Sequence, residues 1–235
     1  MNSPGSVAAI VAAAGSGTRL GRGSKALVPL HGRPALARVL ELFLGLDEID
    51  RIVVAVPQAR LEEARAVVEE LAPAKPVGLC PGGETRQQSV RAGLTSLDSG
   101  TAWVLVHDAA RPLASPALVR RVLAAAMESG AAFPGLPPRD AVKRVEGGRL
   151  VESLDRSRIV LAQTPQAFSY SLLLRAHFEA ADAGLVGDDD AQLVSAGGHP
   201  VTVVEGEPTN IKLTTPEDLE LLEALIREQE EAGIR

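Results

Sequence analysis

A single cysteine, Cys80, is all the thiol chemistry this chain contains. That excludes an internal disulfide framework and a cysteine-built zinc site, and leaves Cys80 to pack as a small hydrophobe. Basic residues are in the minority: 24 Lys and Arg against 30 Asp and Glu give a formal net charge of −6. A nucleic acid or an anionic membrane surface needs a basic face, so neither is expected as a partner. Any anionic ligand must instead be met by a local group of cations. No apolar stretch approaches the ~18 residues of a membrane-spanning helix. No Lys or Arg precedes the first apolar run, as a secretory signal would require. The expectation is a soluble, cytoplasmic protein. Internal repeats and low-complexity tracts are also missing, so residues 1–235 are read as one domain with an excursion.

What the chain does have is AAAGSGTRLGRGSKAL, Ala12 to Leu27. It follows a short apolar run, Val7 to Val11, of the right length for a central parallel strand. Small residues let a ligand lie against backbone, and successive N–H groups form an anion-binding nest. Ala13, Ala14, Gly15 and Gly17 supply that backbone, and Arg19 and Lys25 supply the neutralising charge; the obvious guest is a phosphate chain. The spacing is not a Walker loop, because Lys25 follows Gly23-Ser24 and precedes Ala26. It also misses the last glycine of a dinucleotide fingerprint by one position, which argues against a dehydrogenase although Glu41 falls roughly where a ribose-binding acid would stand.

Further along, strands are predicted at Arg51–Val56, Val77–Cys80 and Ala102–Val106. They alternate with helices over 34–44, 61–71, one capped by Thr85 with Gln88, and one opened by Ser115-Pro116 and running through Met127. This alternation predicts a mostly parallel sheet with helices on both faces. The rhythm breaks at Pro134, Gly135, Pro137 and Pro138. Val142–Val145 and Leu150–Leu154 are predicted to pair around Gly147-Gly148 as a protruding two-stranded arm, at about 137–158, that needs another surface to lie on. Helices over 171–181 and after Asp188-Asp189-Asp190, a strand at Val201–Val204 and a helix capped by Thr215-Pro216 complete the chain.

Several further positions are candidates for chemistry. Asp108 and Arg111 stand at the end of a strand in VHDAAR; they either meet a metal and an anion together or pair to fix the loop, since magnesium takes hard oxygens. His107 is read as structural. Gly82 and Gly83, with Ser89 behind them, either admit a flat base edge or simply make a tight turn. Arg156 and Lys212, each taken alone, read as solvent-facing cations; together with Arg111 they would supply charge for a second phosphate, and a transfer between two phosphorylated partners needs such a division.

In this order, AAAGSGTRLGRGSKAL, GGETRQQSV, VHDAAR, DR followed by TPQ, and NIK resemble the 2-C-methyl-D-erythritol 4-phosphate cytidylyltransferase family, over essentially the whole chain. The resemblance implies a nucleotide-diphospho-sugar-transferase-like fold and the reaction of CTP with methylerythritol phosphate to the CDP-alcohol and pyrophosphate. It implies a divalent cation such as Mg²⁺, and a homodimer whose arm reaches the neighbour's site. By similarity, Arg19 and Lys25 hold the triphosphate and its transition state. The backbone around Ala13-Ala14 and Gly82-Gly83, with Ser89, contacts cytosine, and Asp108 meets the metal and the sugar alcohol. Arg156 and Lys212 bind the methylerythritol phosphate, with Arg111 and Thr164 close by. The chain departs from the family pattern at Ser24, usually proline, and at Gly187, often threonine. Ribitol 5-phosphate cytidylyltransferases share much of this motif set, which keeps ribitol phosphate as the alternative acceptor.

Overall fold

In the computed structural model, which describes residues 5–15 and 24–233, the first apolar run forms β1, Ser6–Ala12. Val7, Ala9 and Val11 face one core and Ala8 and Ile10 another. A strand buried on both faces belongs in the interior of a sheet covered on both sides. A small hairpin, β2 (Pro29–Leu30) and β3 (Arg33–Pro34), leads into α1 (Ala35–Leu44). There follow β4 (Arg51–Val56), α2 (Leu61–Leu71), β5 (Val77–Pro81), α3 (Arg86–Thr95), β6 (Thr101–Asp108) and α4 (Pro116–Ser129). Strands β6, β1, β4 and β5 lie adjacent in that order, all parallel. α1, α2 and α4 cover one face and α3 the other.

The second half adds β7 (Ala131–Leu136), β8 (Lys143–Glu146), β9 (Arg149–Ser153), β10 (Leu161–Ala162), β11 (Gln166–Ser169), α5 (Tyr170–Asp182), α6 (Asp190–Ala196), β12 (Thr202–Glu205) and α7 (Pro216–Glu231). Among the described residues the main sheet has the order β10-β7-β11-β6-β1-β4-β5, with β12 parallel to β7. β11 runs antiparallel to β6 and β7, so the sheet is mixed on this side. α5 and α6 join α3 on its face. α7 packs Leu222 and Ile226 against Val28, Leu30, Leu113 and Leu213, and so fastens the segment after β6.

One sequence expectation is corrected here. The Pro134-Gly135 segment does not end the regular pattern but lies inside β7. Proline is tolerated in a strand where no ladder N–H is required. Pro134 sits opposite the break between β10 and β11, where its carbonyl still accepts the Gln163 N–H at 2.8 Å. The arm forms as expected: β8 and β9 pair antiparallel around Gly147 and Gly148, whose φ angles of 55° and 75° favour glycine. Every residue of both strands is exposed.

Candidate active site

Loops leave the carboxyl ends of β1, β5 and β6 side by side. Register pairs Ala12 with Asp108 across β1 and β6. The Ala13 N–H continues to the Ala55 carbonyl at 2.9 Å, and the Gly82 N–H reaches the Val56 carbonyl at 2.7 Å. Ala13-Ala14, Gly82-Gly83 and Asp108 therefore arrive at one edge, the edge where open α/β sheets bind ligands. The approach is close: a Cβ on Gly82 would stand 2.6 Å from Ala14 Cβ and 2.9 Å from Ser89 Oγ. Ser89 is buried, and its hydroxyl accepts the Gly83 N–H at 3.1 Å and donates to the Thr85 carbonyl at 2.8 Å. Its role in this structure is to fix the turn.

Alternation along β6 sends His107 and Asp108 to opposite sides. His107 follows Leu105 toward α1 and meets Phe43 edge-on, ring centroids 5.6 Å apart. Thr164 Oγ1 accepts the Asp108 N–H at 3.0 Å and donates its hydroxyl hydrogen bond to His107 Nδ1, also at 3.0 Å. His107 Nε2 then donates to the Arg111 carbonyl at 2.9 Å. Burial pushes the imidazole pKa down to about 4. His107 is thus buried and bonded at both ring nitrogens, with Thr164 as one partner, an arrangement that agrees with a structural reading.

Asp108 follows Val106 toward α3 and is buried. The Thr85–Gln88 capping box starts α3 so that Arg86 is its first helical residue. Arg86 Nε lies 2.8 Å from Asp108 Oδ1, and Lys212 Nζ lies 2.6 Å from Asp108 Oδ2. Burial opposes the carboxylate charge, but Arg86 and then Lys212 more than offset it and hold the group well below the usual carboxylate range. Arg86 reaches on with Nη1 to Asp190 Oδ2 at 2.7 Å, and His177 Nε2 lies 2.9 Å from Asp190 Oδ1. Burial likewise opposes the Asp190 charge, and Arg86 and His177 lower its pKa. Two carboxylates thus face two cations, so the formal charges cancel in a largely buried place.

Arg111 is not the ion-pair partner of Asp108 in this arrangement. Its Nη1 donates to the Asn210 carbonyl at 2.7 Å and its Nη2 to that of Ala162 at 3.3 Å. It braces the loop after β6 against the segment that carries Lys212. Asn210 helps from the other side, its amide donating to the Thr164 carbonyl at 2.8 Å. Lys25 opens a 3₁₀ turn, Lys25–Leu27, pinned by buried Ala26. Gly15 is exposed at the last described position before it. Arg19 and Gly17 lie outside the described residues. Arg156 stands on an exposed turn just past β9, at the far end of the arm, and donates to the Arg139 carbonyl at 2.9 Å.

The structure therefore gathers Ala13, Ala14, Gly82, Gly83, Asp108 and Lys212 at the sheet edge, and uses Ser89, Arg111 and Thr164 as braces. Sequence reasoning missed Arg86, Asp190 and His177. Arg86 was within sight, inside GGETRQQSV, but isolated charges carry no signal until a fold brings their partners across 22 and 104 residues.

The family model described as 2-C-methyl-D-erythritol 4-phosphate cytidylyltransferase (IspD) matches residues 7–228. The enzyme of that name from Geobacillus thermodenitrificans is 42% identical over 219 residues, which cover 93% of this chain and 96% of that one. The crystal structure of the 2-C-methyl-D-erythritol 4-phosphate cytidylyltransferase from Thermus thermophilus matches with a TM-score of 0.78 at 39% identity, covering 94% of this chain and 99% of that chain. That of the 4-diphosphocytidyl-2C-methyl-D-erythritol synthase from Anaerococcus prevotii gives 0.85 at 28% identity, covering 96% and 100%. With a family model spanning nearly the whole chain and a relative so similar over nearly its full length, this chain belongs to the 2-C-methyl-D-erythritol 4-phosphate cytidylyltransferase family.

Proposed function

We infer that the loops at the carboxyl edge of the sheet carry out the family's reaction around Asp108. The reaction transfers CMP from CTP to 2-C-methyl-D-erythritol 4-phosphate, giving the CDP-alcohol and pyrophosphate. A phosphate oxygen of the acceptor attacks the α-phosphorus of CTP; the new P–O bond forms as the bond to the β-phosphate oxygen breaks. No protein nucleophile is needed, so catalysis consists of positioning and charge stabilisation. The observation that carries the assignment is the Asp108 carboxylate, buried at a strand end beside the start of the first loop and shared by Arg86 and Lys212.

In this reading the backbone of 13–15 and 82–83 receives the nucleotide, and Lys25, with Arg19, neutralises its phosphates. Lys212 and Arg156 take the acceptor phosphate, and Asp108 accepts from a hydroxyl of the bound substrates. Lys212 is the partner of Asp108 that can turn away, since its side chain is 43% exposed against 24% for Arg86. Among the described residues no three His, Cys, Asp or Glu converge as a metal cluster. Magnesium fits a single carboxylate nonetheless, because it keeps several waters and draws other ligands from substrate phosphates. Asp108 is the hard-oxygen donor that would hold it, and bound there it would offset charge developing on the transferred phosphoryl group. The whole chain acts as one catalytic domain. The exposed arm, with Val145, Leu150 and Val151 open to solvent, packs on a second copy. No described helix is long and apolar enough to cross a membrane, and the reading is of a cytoplasmic homodimer.

The test is a pyrophosphate-release assay crossing four nucleoside triphosphates with methylerythritol phosphate and ribitol phosphate, with and without chelator. Release is expected only with CTP, methylerythritol phosphate and free divalent cation together. Equal turnover with ATP would overturn the nucleotide site, preference for ribitol phosphate the acceptor, and full activity in excess chelator the metal.

A further inference from the structure

His177 lies on α5, outside the loops that follow β1, β5 and β6, and its ring is wholly buried. An apolar residue would suit that place on packing grounds alone. The imidazole instead directs Nε2 at Asp190 Oδ1, 2.9 Å away, while Nδ1 has no hydrogen-bond partner among the described residues. A buried polar atom left unpaired is destabilising. His177 therefore spends stability to make one hydrogen bond.

That bond is the end of a chain. Asp190 uses its other oxygen, Oδ2, on Arg86 Nη1 at 2.7 Å, and Arg86 uses Nε on Asp108 Oδ1 at 2.8 Å. With two different partners on its two oxygens, the Asp190 carboxylate has one orientation. The Arg86 guanidinium, gripped at Nε and Nη1 by two carboxylates, likewise has one plane. Removing His177 frees Asp190 to turn about its last bond, and the Arg86 guanidinium that holds Asp108 Oδ1 then loses its second anchor.

We propose that His177 is a positioning residue for cytidylyl transfer, acting through Asp190 and Arg86 to fix the Asp108 carboxylate. The inference rests on the reading of Asp108 as the substrate-contacting group. Displacing a reacting-site group by about 1 Å can cost up to ~10²-fold in rate. A loss of roughly tenfold or more in kcat/KM for CTP is thus expected in His177→Leu, which fills the space but makes no hydrogen bond.

Two amide variants separate position from bulk. Glutamine places its amide nitrogen near the site of Nε2 and restores the bond to Asp190; asparagine places it near Nδ1 and does not. His177→Gln is expected to recover most of the activity that His177→Leu loses, and His177→Asn to stay impaired. In the double variant His177→Leu/Asp190→Asn, the loss is expected to be no greater than in Asp190→Asn alone, because both act through one link. Equal activity of the glutamine and asparagine variants overturns the inference, and that comparison stands even if the leucine variant does not fold. Losses that multiply in the double variant overturn it as well, as does a lowered melting temperature with kcat/KM within twofold of the parent. Asp108→Asn, assayed in parallel, tells the two readings apart. Wild-type turnover there removes the Asp108 assignment itself, whereas an inactive Asp108→Asn beside unaffected His177 variants removes only the relay.

Discussion

His107 and Asp108 are neighbours in sequence, yet their environments give them opposite electrostatic behaviour. His107 is neutral because burial disfavours its charged form, lowering its pKa to about 4 from an ordinary 6.5. Asp108 stays ionised although buried, because Arg86 and Lys212 flank it. The unfolded chain therefore binds the extra His107 proton between pH 6.5 and about 4, while the folded chain does not. Stability attributable to His107 is complete above that window, falls as pH drops through it, and is unchanged below it, a total of about 3 kcal/mol. Asp108 and Asp190, whose folded pKa values are depressed, keep their contribution until pH falls below the unfolded carboxylate value near 4. Denaturant unfolding at several pH values is expected to show a slope between pH 6.5 and 4.5 that is reduced in His107→Gln; an unchanged slope would place the titration elsewhere. The sequence showed Asp108 because it sits in a short motif at a strand end, and Lys212 only through its company with Arg111 and Arg156 and through the family resemblance. It did not show Arg86, Asp190 or His177, because their meaning depends on partners far along the chain.

At the level of elements, the sequence was most legible where local chemistry and long-range packing agree. RIVVAV is β4 to the residue, and the Thr85–Gln88 and Thr215–Asp218 boxes cap α3 and α7 as their spacing requires. It was least legible around β7 and β11. The first contains a proline that only a break in the partner strand makes tolerable, and the second is four residues long with no alternating pattern to betray it. The sequence of the turn between β5 and α3 admits two meanings, a base-binding edge or a tight connection, and its packing accommodates both. Gly82 is pressed between Ala14 and Ser89, so that turn and the first loop are held as a unit. Gly82→Ala forces a methyl group into this contact. Overpacking of this kind costs typically ~1–3 kcal/mol, and here the strain falls on the loop that receives the nucleotide. The variant is expected to melt lower and to bind CTP roughly tenfold more weakly, a loss of ~1.4 kcal/mol. A CTP isotherm indistinguishable from the parent, in a variant that does melt lower, would leave the turn a connection and nothing more.

The arm raises a question that one subunit does not answer. β8 and β9 pair with each other, and Val145, Leu150 and Val151 are 54%, 63% and 46% exposed. A solitary two-stranded ribbon is marginal in water, so it would gain from packing on another surface, and a twofold dimer would offer one to each subunit. Arg156 lies just past the ribbon, on an exposed turn. If the ribbon crosses to a second copy, Arg156 travels with it toward the neighbour's acceptor phosphate. A guanidinium–phosphate contact is directional, so lysine is a poor substitute. Arg156→Ala is then expected to raise KM for the phosphorylated alcohol while leaving KM for CTP nearly unchanged. The decisive experiment mixes Arg156→Ala chains with Lys25→Ala chains, each nearly inactive alone at the acceptor concentration used, and isolates the heterodimer. Were Arg156 to act on its neighbour's site, the Arg156→Ala chain would keep its own Lys25 and receive an intact Arg156 from its partner. That site would be whole, and the other would carry both defects. Activity per heterodimer should therefore return to about half that of the parent dimer, since one site of two is whole. Were Arg156 to serve its own subunit, each site would carry one defect and the heterodimer would be as inactive as its parents, which would assign the arm to assembly alone.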